Sequence, residues 1–85
     1  MSPRSFKPDP SSLVSLGRAV KALRAEAGLT QMQLAGRAGL HNTYISHIER
    51  GVTNLTWTAL GRISQGLGVP RSVLVNRVED LERRR

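Results

Sequence analysis

The sequence has no cysteine, which excludes a disulfide framework, a thiolate nucleophile and a cysteine zinc site. Aromatics are scarce as well. Phe6, Tyr44 and Trp57 are the whole set, so a core has to be built from Leu, Ile, Val and Ala, which suit small packed helices better than a sheet. No apolar run approaches the ~20 residues needed to span a bilayer, and the opening MSPRSFKPDP lacks the apolar stretch of a signal peptide. A soluble cytoplasmic protein is the expectation. His41 and His47 lie six apart with no third ligand at metal-site spacing, so no metal is expected. There is no phosphate-cradling glycine loop and no serine in a GxSxG context, and the adjacent Glu79 and Asp80 would fall on different faces of a helix. Neither an enzyme nor a cofactor is implied.

What is present is positive charge. Thirteen Lys and Arg stand against six Asp and Glu in 85 residues, a formal net charge of +7. Such a balance attracts phosphate, and Arg adds planar two-pronged hydrogen bonding to a phosphate or a guanine edge. The length allows one small domain with a modest core. The division expected is a flexible basic arm over 1–8, a helical domain over 9–75, and a C-terminal helical extension or tail over 76–85. The arm either touches phosphates or has no role, and both readings stay open.

Asp9 and Pro10 form a helix start, since Asp caps and Pro at the first position loses no needed hydrogen bond. Leu13, Leu16, Val20, Leu23 and Ala27 then step by three and four to a stop at Gly28. Thr30 with Gln33 three residues on is a capping box, so a second helix starts at Gln31. It carries Leu34, Ala35 and Ala38 and ends at Gly39, the residue best able to adopt a positive φ. After Leu40 and His41 a third helix carries Ile45 and Ile48 and stops at Gly51. Thr56 caps a fourth with Trp57, Leu60, Ile63 and Leu67 on one face. Val69-Pro70 opens a fifth with Val73 and Leu74 inward, and Leu74, Val78 and Leu81 keep a helical spacing beyond it.

Two helices joined across so short a turn cross steeply, so the first needs a small residue where the second approaches. Ala35, Gly39, Ile45 and Ile48 act as that steric set and leave Asn42, Thr43, Ser46 and His47 outward. Through Thr30-Gln31, Leu34-Ala35, Gly39-Leu40, Tyr44-Ile45-Ser46 and Ile48-Glu49-Arg50-Gly51, the stretch 30–51 resembles the Cro and phage-repressor-like (Xre-type) helix-turn-helix family. The resemblance runs from about Leu16 to Leu74. It implies an all-α, compact five-helix lambda-repressor-like DNA-binding domain, bacterial or phage-encoded and nucleoid-associated.

An α-helix fits the major groove of duplex DNA, and residues near its N-terminus reach the base edges. By resemblance Asn42, Thr43, Ser46 and His47 are the base readers, and Gln31, Tyr44, Arg50 and Asn54 are the phosphate contacts. The family favours Ser or Thr as the cap where this chain has His41, so Asn42 either reads a base or caps the helix itself. Tyr44 also reads as a half-buried ring and Arg50 as a cation at a helix C-terminus. The resemblance further implies that Arg24 pairs with Glu49, tying the first helix to the recognition helix.

One such unit reads few base pairs, so double-stranded DNA bound by a homodimer on a two-fold operator is expected. Helices four and five and the Leu74, Val78, Leu81 stripe are the expected dimer interface. Thr43-Tyr44-Ile45-Ser46 and Asn54-Leu55-Thr56, followed by Gly66-Leu67, are further similar to restriction-modification controller proteins, and phage repressors share many of these residues. The alternative from another class is an antitoxin or regulatory module whose main ligand is another protein.

Overall fold

The computed structural model describes residues 9–84; the basic arm expected over 1–8 lies outside the described residues. Five helices follow in order, α1 (Pro10–Glu26), α2 (Gln31–Ala38), α3 (Asn42–Glu49), α4 (Trp57–Leu67) and α5 (Arg71–Arg83). No strand occurs among the described residues. None of the helices is long and apolar enough to cross a membrane.

The helix starts follow local chemistry. Asp9 accepts the Ser11 amide at 3.0 Å with Pro10 at the first position. Thr30 and Gln33 close both halves of the capping box, at 3.1 Å and 2.9 Å, and Thr56 accepts the Ala59 amide at 3.0 Å. At the other end of α2, Gly39 takes φ +67°, and the Leu40 amide returns to the Ala35 carbonyl at 3.0 Å. A side chain at that position would be strained, so glycine allows the chain to leave α2 and enter α3 within three residues.

Packing completes one core. α2 lies on α4, and α1 lies on both α5 and α3. Val20, Leu34, Ile45, Ile48, Ile63 and Leu74 are fully enclosed, with Ala35 and Leu67 in the same cluster. The approach of α1 to the end of α3 rests on Gly17. A Cβ there would sit 2.7 Å from the Glu49 carbonyl oxygen and closer still to that of Ile48. Glycine inside a helix costs about 1 kcal/mol relative to alanine, and close backbone contact is its use here.

Several apolar residues are placed otherwise than their spacing predicts. Trp57 is 67% exposed and Val73 38%, and Ala27 is an exposed C-cap rather than part of the α1 stripe. Leu74 turns inward as its spacing predicts and is 0% exposed in its own chain's core, which leaves it no surface for the dimer interface also expected of it. Val78 and Leu81 are half-buried against that same core. α5 passes 76 without a break because this packing against α1 continues, so the stripe is used mainly within the chain.

Candidate nucleic-acid interface

The first turn of α3 faces outward. Ile45 and Ile48 are enclosed and fix the roll of the helix, which leaves Asn42 and Thr43 exposed and Ser46 and His47 half-buried at the rim. The cap is His41. Its Nδ1 accepts the Thr43 amide at 3.0 Å, so the proton of the neutral ring sits on Nε2. Asn42 is thereby released from capping, and its amide stays outward at the first helical position.

The far end of α3 is fixed by a node of four residues. Arg24 donates from Nε to Glu49 Oε2 at 2.6 Å and from Nη2 to Oε1 at 3.0 Å. Its Nη1 reaches the Leu29 carbonyl at 2.7 Å. Gln31 Nε2 adds a third donor to Glu49 Oε1 at 3.0 Å. The Glu49 side chain is only 3% exposed and that of Arg24 15%. An isolated carboxylate at that depth would be costly, and three charge-directed hydrogen bonds offset it. The hydrogen bonds that it donates to Glu49 hold the Arg24 guanidinium above its ordinary range, with burial acting the other way. α1, the start of α2 and the end of α3 thus meet on one side chain.

The expected phosphate contacts divide into held and free. One amide proton of Gln31 is taken by Glu49, and the second remains, beside the uncovered amides at the start of α2. The half-buried Tyr44 packs on the core, and its hydroxyl donates to the Asn54 carbonyl at 3.3 Å. Asn54 Oδ1 is occupied by the Leu55 amide at 2.8 Å. These two bonds shape the connection from α3 to α4. Arg50 is the exposed C-cap of α3, and among the described residues its guanidinium has no partner.

Sequence reasoning missed Gly17, the capping role of His41, and Arg62, whose Nη1 donates to the Gly39 carbonyl at 3.3 Å and closes the open end of α2 at the turn. Gly17 carried a signal, a glycine within an otherwise helical pattern. Arg62 lies 23 residues from Gly39, and nothing local announced it.

The class these features define is the two-helix reading head. Residues 15–76 match the helix-turn-helix domain family, and the chain belongs to it. It is 40% identical over 60 residues to the control protein C.BamHI of Bacillus amyloliquefaciens, covering 68% of this chain and 74% of that protein. It is 37% identical over 62 residues to the immunity repressor protein of Bacillus phage phi105, covering 73% of this chain but only 43% of the repressor. Among solved structures, the wild-type restriction-modification controller protein C.Esp1396I aligns with a TM-score of 0.81 at 35% identity, covering 87% of this chain and 96% of that one. The same protein has been solved as a tetramer with its natural 35-base-pair operator, at a TM-score of 0.76.

Proposed function

We propose that this chain is a sequence-specific double-stranded DNA-binding transcriptional regulator that recognises a two-fold operator as a dimer. One observation carries the reading: His41 caps α3, which frees Asn42 and Thr43 to meet base edges from a helix end fixed by packing. Asn42 matches the donor and acceptor pair of adenine, Thr43 offers a hydroxyl and a methyl, and Ser46 and His47 reach the next pair along the groove. Gln31, Arg50 and the side-chain amide of Asn54 hold the phosphates on either side, and Tyr44 joins them by turning its hydroxyl proton from the Asn54 carbonyl to a phosphate oxygen, with no part in base choice. The net charge of +7 supports a polyanionic partner. Membership of the family and likeness to C.BamHI and C.Esp1396I support a role of the controller kind.

The test separates readers from anchors. Duplexes selected from a random pool by the full chain should share a two-fold site. His47→Ala should weaken binding to that site by ~1 to 3 kcal/mol and leave non-specific duplex nearly untouched. Arg50→Ala should weaken all duplexes alike and flatten the salt dependence by about one counterion. Equal losses on specific and non-specific DNA from both variants would refute the division.

A further inference from the structure

Among the described residues, Arg71 and Glu79 are the two charged groups of α5 without a charged partner, and both lie beside apolar side chains. The Arg71 guanidinium stacks 4.5 Å from the centroid of the Trp57 ring. It also lies across α4 at Gly61, one turn on from Trp57, where any Cβ would overlap it. Its Nε is buried with no hydrogen bond, and among the described residues no carboxylate pairs with it. The group is held flat, and among the described residues its donors meet no acceptor.

Glu79 is the complement. Of the six acids, Glu49, Glu26 and Asp80 are in ion pairs, Asp9 caps α1 and Glu82 has an interaction of its own. Glu79 is exposed, with no partner among the described residues. Val75 lies midway between it and Arg71, 37% exposed. Four-residue steps place the three along one side of α5 over about 12 Å. Beside Val75 and Glu79 opens an apolar groove lined by Leu13, Leu16, Leu55, Trp57, Leu60 and Val78.

This pattern is self-complementary. Two antiparallel helices related by a two-fold axis bring each residue opposite the one equally far on the other side of the axis. With the axis at Val75, position 71 faces position 79 twice over. We propose that two copies of this chain pair α5 antiparallel about Val75, with each Arg71 bound to Glu79 of the partner subunit and the valines and groove edges closed between them. The pairing rests on the dimeric reading above and specifies its surface. It moves the centre of the expected stripe from Leu74, which has no surface to give, to Val75, and keeps Val78 at the groove edge. A pinned guanidinium suits a carboxylate because its fork geometry is already set, and paired charges at the rim of an apolar contact fix register and exclude wrong partners.

Charge reversal tests it on the full chain by light scattering after gel filtration. Arg71→Glu and Glu79→Arg should each raise the dimer dissociation constant by about tenfold or more, because each sets like charges face to face twice. Mixing the two variants should restore a dimer containing one copy of each, and the double variant should restore a homodimer. Glutamate at the first turn of α5 suits the helix dipole, so circular dichroism should show both single variants folded. Single variants that dimerise like wild type would overturn this pairing and leave the dimer standing. A wild-type chain that stays monomeric, free and on two-fold DNA, would overturn the dimeric reading itself. Loss of duplex binding by Arg71→Glu with assembly unchanged would make Arg71 a phosphate contact and refute the pairing.

Discussion

Arg24–Glu49 and Arg77–Glu26 have nearly the same two-pronged geometry, at 2.6 and 3.0 Å in the first and 2.7 and 3.1 Å in the second. Their surroundings differ. The Glu49 side chain is 3% exposed and the Glu26 side chain 58%. Glu49 collects a third donor from Gln31, whereas Glu26 faces solvent. Depth rather than distance decides what each pair is worth, since removing one partner of a buried pair strands a charge, while an exposed pair exchanges its partner for water. The molecule places its buried pair where α3 must be aimed and its exposed pair where α5 merely lies along α1.

The largest effect that would sharpen this contrast is expected at the node. Glu49→Ala should lower the unfolding free energy by about 3 kcal/mol, read as a fall in the denaturant midpoint, and operator affinity should fall with it. Arg24→Ala should act in the same direction, and an unchanged melting temperature in both would show that the node holds nothing. A smaller effect is expected at the opposite end of α3. His41→Ala removes the cap and should cost about 1 kcal/mol, with His41→Ser recovering most of it, because a serine oxygen can accept the same amide. Recovery of operator binding by His41→Ser would mean that the cap, rather than the imidazole itself, is what the site needs.

The smallest effect is expected at the exposed pair. The hydrogen bond from Arg77 holds the Glu26 carboxyl below its ordinary range, so its contribution to stability is present above the usual carboxylate range and is lost as the pH falls through the lowered folded value. Arg77→Gln should therefore shift the melting temperature slightly at neutral pH, and the gap from wild type should narrow below the usual carboxylate range and close as the pH falls through the lowered Glu26 value. A gap as large as that of Glu49→Ala would break the comparison outright.

Much of the candidate site is legible in the order of residues alone. Thr30 with Gln33, and Gly39, act within four residues of themselves, so the bounds of α2 can be read in place. Ala35, Gly39, Ile45 and Ile48 announce the crossing of α2 and α3 because a tight turn leaves few ways to pack. The fate of α4 and α5 is less legible. Trp57, Leu60, Ile63 and Leu67 share a helical face by spacing, yet Trp57 is exposed, because at the first position of α4 it borders an open groove with Leu13 and Leu55 and is covered only by the Arg71 guanidinium. Leu74 and Val75 are neighbours in sequence, and only the seat of α5 on α1 decided which was enclosed.

The amino-acid sequence alone therefore determined where helices begin and end, the steric fit of the reading pair, and the positive charge, all of which depend on neighbours a turn away or on composition. Tertiary structure decided that Glu49 would carry three donors, that His41 would cap α3 in place of Asn42, and that Arg71 would lie against Trp57 while Glu79 faced solvent, neither with a charged partner among the described residues. Those outcomes depend on the depth of each group and on which side of a helix meets another, and both exist only once the helices have packed.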